Sequence, residues 1–188
     1  MRSIVALLAL ALLASGCDRQ KAPAPQAASG GAPAPAAQPG VGLDRTHKGE
    51  PFPDAVIKDP DGEDIDMSEF EGAPVLVNLW ATWCGPCVKE LPTLDRLAAA
   101  HRADGGLKVI TVSQDSGPQD SVRAFLDKLK VGEIEAYQDP DMKLSSAFKV
   151  QVMPTSILFD RTGHELWRYT GDRDWSDGDS ARLLAEAR

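Results

Sequence analysis

Val75-Leu76-Val77-Asn78-Leu79-Trp80-Ala81-Thr82-Trp83-Cys84-Gly85-Pro86-Cys87 joins an apolar run to two closely spaced thiols. Residues 75–80 have the length and composition of a buried strand. From Val88 onward Leu91, Leu94, Leu97 and Ala98 recur at helical spacing, so a helix follows over residues 84–100. The two cysteines therefore stand one helical turn apart at a strand-to-helix junction, which is the layout of a reversible dithiol/disulfide switch.

Position within that helix assigns the thiols different work. At a helix N-terminus the unpaired backbone N–H groups and the positive end of the macrodipole favour an anion and lower a thiol pKa. A thiol with a pKa near ~8.5 is only about 3% thiolate at pH 7, whereas one brought to ~7 is about half thiolate. Cys84 is thus the expected nucleophile. Cys87, inside the first turn, is better placed to attack a mixed disulfide at Cys84 than to meet an external substrate.

Composition narrows the alternatives. The chain has three cysteines in 188 residues, and His47, His101 and His164 show no ligand spacing relative to the pair, so a four-ligand zinc site is not expected. No metal or other cofactor is expected. The net charge is −8 and no basic stripe runs along the chain, which argues against nucleic acid.

The third cysteine belongs to the N-terminus. Met1-Arg2-Ser3 is a short basic start, and the apolar run 4–14 has signal-peptide length, too short to span a bilayer. Leu13-Ala14-Ser15-Gly16-Cys17 resembles the bacterial lipobox, with Leu13 one position further out than usual. That resemblance implies a leader over residues 1–16 and a lipid on Cys17, with Asp18 resembling an inner-membrane retention signal. An ordinary cleaved signal with an incidental cysteine is the alternative. Residues 17–49 read as the lipidated cysteine followed by a disordered tether. The stretches Ala22-Pro23-Ala24-Pro25, Ser29-Gly30-Gly31 and Ala32-Pro33-Ala34-Pro35 offer no large apolar side chain to bury.

Residues 50–188 are long enough for one domain with its own core. Segments around 55–57 and 64–66 flank the turn Asp59-Pro60-Asp61-Gly62 and form an N-terminal hairpin. A strand over 108–112, a helix over 118–130, a short strand over 134–137 and a short helix over 141–148 follow the first strand–helix unit. A hairpin pairs 155–160 with 165–169, and 176–188 closes the chain as a helix. Strands alternating with helices and ending in a hairpin imply an α/β, three-layer sandwich with a mixed central sheet.

On the segments Val77–Cys87 and Val152-Met153-Pro154-Thr155-Ser156, the domain resembles the thioredoxin superfamily and, within it, the TlpA/ResA-type thiol–disulfide oxidoreductases. The resemblance implies a thioredoxin-like fold and matches Pro154 to the family's cis-proline facing the cysteine pair. It places Trp83, Gly85, Pro86, Met153 and Thr155 with Pro154 on the substrate-binding surface. Two features sharpen it. The buried strand carboxylate of thioredoxin maps onto Asn78, which neither takes nor gives a proton at physiological pH. Glu90 matches a glutamate of the ResA-type active site; if buried, its pKa rises and it can shuttle the proton of Cys87, whereas the plainer reading is a solvated helix glutamate. Pro92 removes a backbone bond to Val88 and should kink the helix. Trp80, Trp167 and Trp175 are expected in packing, and Lys89 as a solvated residue leaning toward Glu90 or Cys84.

These readings add up to an expected lipid-anchored periplasmic protein-disulfide reductase, monomeric, on the inner membrane. Gly85-Pro86 puts no cation between the sulfurs. The gap between thioredoxin-like and strongly oxidising potentials, ~150 mV or about 7 kcal/mol, needs more than glycine and proline supply. The resemblance implies protein disulfide substrates, such as apocytochromes c or copper-site proteins of respiratory oxidases. It also implies electrons from a membrane thiol donor of the DsbD/CcdA kind, since the compartment is oxidising. A disulfide oxidase or isomerase of the same fold, and a copper-delivery protein using the cysteine pair, remain the rival readings.

Overall fold

A computed structural model describes residues 40–102 and 105–187 of the chain. The leader, Cys17 and the tether up to residue 39 lie outside the described residues.

The first strand of the sequence argument, β4 (Val75–Trp80), is buried along its whole length. A nearly continuous apolar strand, broken here only by Asn78, is what a sheet covered on both faces requires. Alternation sends Val75, Val77 and Leu79 into one core cluster and Leu76 and Trp80 into the other. The second cluster contains Leu91, Leu94 and Leu97 of α1 (Gly85–Arg102) and Val122 and Leu126 of α2 (Gln119–Leu129). It also takes Leu184 of α4 (Gly178–Leu184). Opposite them, Leu144 of α3 (Lys143–Ala147) and the neighbouring Phe148 cover the first cluster with Met67 and Phe70 from a 3-10 turn. Helices on both faces of a sheet make the expected three layers. Among the described residues, no helix is long and apolar enough to cross a membrane.

Through the crossover α1, β4 pairs in parallel with β5 (Lys108–Ser113), and β5 pairs in parallel with the short β6 (Tyr137–Gln138). On its other side β4 meets β7 (Thr155–Phe159) antiparallel, and β7 turns back into β8 (Glu165–Thr170). The hairpin of β2 (Val56–Lys58) and β3 (Asp64–Asp66) joins the sheet at β6. Its turn is fixed by Asp59, whose Oδ1 accepts the Asp61 and Glu63 N–H groups. With β1 (Gly42–Asp44) against β8, the sheet runs β1-β8-β7-β4-β5-β6-β2-β3, a mixed thioredoxin-like arrangement.

The strand β1 corrects the expected boundary of the tether at residue 49. Gly42, Leu43 and Asp44 pair with Thr170, Tyr169 and Arg168, and the following segment continues along the hairpin. Gly49 N–H donates to the Glu165 carbonyl, Glu165 N–H to the Glu50 carbonyl and Phe52 N–H to the Gly163 carbonyl. Pairing at a sheet edge uses backbone groups and leaves Val41 and Leu43 exposed, so composition does not reveal it. The closing helix also starts later than residue 176. The Asp177 side chain caps it by accepting Ser180 N–H, and a 3-10 turn follows over Ala185–Ala187. Pro92 lies within α1, which runs on past it to Arg102.

Candidate active site

Cys84 immediately precedes α1, and its carbonyl accepts the Val88 N–H at 3.0 Å, the first helical bond. It is joined by a disulfide to Cys87, with the Cα atoms 5.3 Å apart. The Cys87 N–H lies 3.3 Å from Cys84 Sγ, so this sulfur occupies the place of an N-terminal capping acceptor. An anionic sulfur there would be met by a backbone donor and by the helix dipole. Exposure separates the two thiols as expected: Cys84 is 8% exposed and Cys87 is fully buried. Only Cys84 can be reached from outside.

The loop that presents Cys84 is tied down by a carboxylate distant in sequence. Asp115 Oδ2 accepts the Thr82 N–H at 2.9 Å and the Ser113 hydroxyl at 2.7 Å, while its Oδ1 accepts the Thr82 hydroxyl at 2.7 Å. Strand β5 thereby holds the segment leading from β4 into the cystine. Trp83 next to it stands out at 66% exposed. Trp80, Trp167 and Trp175 are buried, as expected for packing residues.

Glu90 is buried, 2% exposed, and is not a solvated helix residue. Its Oε1 accepts the Asn78 Nδ2–H at 2.7 Å and its Oε2 accepts the Arg173 backbone N–H at 3.0 Å. Burial is the largest influence on this carboxyl and pushes its pKa from 4.5 up to about 7. The Arg173 and Asn78 donors pull the other way, as does the nearby Trp175 indole N–H. The charge on Asp172 adds a small upward push. Lys89 is solvated as expected, and its ammonium lies 3.5 Å from Asp172.

An open groove of about 430 Å³ runs beside the cystine, lined by Trp83, Gly85, Pro86, Met142, Gln151 and Met153 among others. None of its lining side chains is charged. The Met153–Pro154 peptide bond is cis, which agrees with the correspondence drawn for Pro154. Thr155 does not line this groove: it is buried, and its hydroxyl donates to the Val152 carbonyl at 2.7 Å. Cys17 lies outside the described residues.

Sequence reasoning missed three contributors. Arg173 and Trp175 reach Glu90 and its surroundings from the loop after β8, and Met142 forms a groove wall at the start of α3. Met142 is also in the left-handed region at φ 54°, uncommon for a residue without glycine's freedom. Its helix is anchored by Asp139, whose carboxylate accepts the Lys143 and Leu144 N–H groups. The Asp139-Pro140-Asp141 sequence signals a helix start, but nothing in it points toward the cystine.

The comparisons with known proteins agree with this geometry. The chain is 28% identical over 131 residues to the thiol-disulfide oxidoreductase ResA of Bacillus subtilis, spanning 70% of this chain and 72% of that protein. With ResA of Halalkalibacterium halodurans it shares 29% over 123 residues, 65% of this chain and 68% of that one. Among solved structures, StoA from Bacillus subtilis superposes with a TM-score of 0.57 at 26% identity, covering 73% of this chain and 100% of that one. The Redoxin family model matches residues 47–184, which take in the cystine, Glu90 and the cis-proline. With a thioredoxin-like sheet and a redox cystine at the start of its first long helix, the chain belongs to the Redoxin family.

Proposed function

We propose that this thiol–disulfide oxidoreductase works as a protein-disulfide reductase, held by a lipid on Cys17 at the periplasmic face of the inner membrane. The observation that carries the chemistry is the asymmetry of the cystine: a reachable Cys84 bonded to a fully buried Cys87 beside an uncharged groove.

In the reduced protein the Cys84 thiolate attacks one sulfur of a client disulfide, forming a mixed disulfide and releasing the first client thiolate. Cys87 then loses its proton and attacks Cys84 Sγ. This releases the second client thiolate and forms the Cys84–Cys87 bond, so two electrons pass from the pair to the client. Glu90 lies three residues after Cys87 on the same helix face and is the base that takes the Cys87 proton. A carboxyl with its pKa near the working pH suits both directions of that transfer.

Reduction is favoured over oxidation because no charged side chain lines the groove. A strong oxidant needs its thiolate over-stabilised, and an uncharged lining does not add to what the helix start supplies. Two electrons per turnover then come from a membrane thiol donor of the DsbD/CcdA kind. The exposed indole of Trp83 and the walls made by Met142 and Met153 suit an extended client segment with apolar side chains near its cystine. Apocytochromes c and copper-site proteins of respiratory oxidases are clients of this chemical kind.

The test is trapping in cells. Cys87→Ser, expressed from residue 1, should be recovered from the membrane fraction covalently joined through Cys84 to a client and released by reductant. Recovery in the soluble fraction would overturn the anchor, and a membrane-bound variant carrying no partner would overturn the reductase assignment.

A further inference from the structure

The pair formed by Asn78 and Glu90 leaves one buried atom without a partner. Asn78 is completely buried, and Nδ2 uses both hydrogens, one on Glu90 Oε1 at 2.7 Å and one on Ser156 Oγ at 2.9 Å. Its Oδ1 is shielded from solvent and accepts nothing. A buried acceptor left unmade calls for an explanation, because native interiors carry few of them.

Strand geometry explains why these three groups meet. Asn78 alternates with Leu76 and Trp80 on the face of β4 that α1 covers, and Ser156 sits directly opposite it in the β4–β7 register. Glu90 comes down on the pair from α1. The second oxygen of Glu90 is held by the Arg173 backbone N–H, a donor that cannot reverse. A proton added to Glu90 must therefore sit on Oε1, where it would confront the Asn78 N–H, donor against donor.

Two neighbours can resolve that conflict without breaking the site. A half-turn of the Asn78 amide about Cβ–Cγ exchanges Nδ2 with Oδ1 in place. Oδ1 then accepts from the Glu90 O–H and from the Ser156 hydroxyl, which rotates to donate. We propose that Asn78 is the positioning residue of the Glu90 carboxyl group. Its amide offers N–H to the carboxylate in one orientation and C=O to the carboxylic acid in the other, so one side chain serves both protonation states. The proposal rests on the reading of Glu90 as the proton carrier and adds how the proton is held.

The two orientations are not equal. As it stands one acceptor is unpartnered; after the half-turn both hydrogens of Nδ2 occupy the space Oδ1 held, where no partner is found. The amide therefore favours the carboxylate and opposes the burial that favours the acid. Other groups face Glu90 from each side. Cys87 lies on its own helix, and the Asp172 charge, the Arg173 N–H and the Trp175 indole come from the loop after β8. The Arg173 guanidinium is turned away, with Nε donating to Ser180 Oγ at 2.7 Å, and Lys89 pairs with Asp172. With Cys87 held in the disulfide, none of these can offer both a donor and an acceptor at Oε1.

The experiment follows the Glu90 carboxyl carbon and the Asn78 side-chain amide by NMR through a pH titration of the oxidised protein, in which the cysteines do not titrate. The Asn78 amide resonances should move with the same midpoint as Glu90. In Asn78→Leu the Glu90 midpoint should rise by about one to two pH units, a ten- to hundredfold gain in proton affinity, as expected for losing a hydrogen bond to a charged group. An Asn78 amide in the wild type that ignores the Glu90 titration would overturn the proposal, whatever the variant does. So would a folded Asn78→Leu with an unmoved midpoint. If both nuclei titrate together while no client disulfide is reduced, the functional assignment fails and the Asn78 role stands.

Discussion

Replacing Glu90 by glutamine should remove most of the pH dependence of stability in the oxidised protein between about pH 4.5 and 8. The carboxyl has an ordinary pKa of 4.5 and is raised to about 7 by burial, so the folded state binds this proton more tightly than the unfolded chain. Below pH 4.5 the group is protonated in both states and contributes no penalty. Between about pH 4.5 and 7 the unfolded chain is ionised while the folded protein keeps the proton, so stability falls, and the loss is complete once the buried group has ionised above about 7. At about 1.4 kcal/mol per pH unit, the loss is about 3 kcal/mol once Glu90 is fully ionised. Glu90→Gln has no proton to lose. Its amide nitrogen, however, sets a donor against either Asn78 or Arg173, a conflict that costs about 1–3 kcal/mol at every pH unless the Asn78 amide turns. The informative quantity is therefore the change between pH 5 and pH 8.5 within each protein, not the difference between the two at one pH. Urea unfolding of the oxidised proteins across that range measures it. Across that range wild type should lose about 2.5 kcal/mol more than Glu90→Gln; parallel curves would refute the claim that Glu90 is buried and titrates near neutrality.

Two surface and loop substitutions test the rest of the site. Trp83→Ala removes an indole that is 66% exposed, so stability should stay within about 0.5 kcal/mol of wild type. Client docking should weaken by about 2 kcal/mol, a roughly thirtyfold rise in KM for a protein disulfide in a turnover assay. An unchanged KM would remove Trp83 from the docking surface. Asp115→Ala deprives Thr82 and Ser113 of three hydrogen bonds and should lower stability by about 1–3 kcal/mol in urea unfolding. It should also slow client reduction, because the loop carrying Cys84 loses its hold on β5, and wild-type rates in a folded Asp115→Ala would refute that hold.

The cystine is legible in the sequence because its determinants are local. The apolar run 75–80, the helical spacing after Val88 and the position of Cys84 ahead of the helix are properties of neighbouring residues. The same holds for the hairpin turn at Asp59, whose side chain bonds to its own next residues. Helical spacing likewise placed Leu91, Leu94 and Leu97 in the core.

What required the tertiary structure depends on partners far apart in sequence. Glu90 could be a solvated helix residue or a buried acid until β4 supplied Asn78 from beneath and the loop after β8 supplied Arg173 from the side. Its proton affinity is set by loss of water on all sides, and no window of sequence contains that information. The β1 strand escaped notice for a related reason: it adheres to β8 through backbone groups that every residue shares, while its apolar side chains face solvent. Sequence specified which sulfurs react; the packing of strand, helix and loop around one carboxyl decided how their proton is handled, because only folding removes the water that would otherwise set its charge.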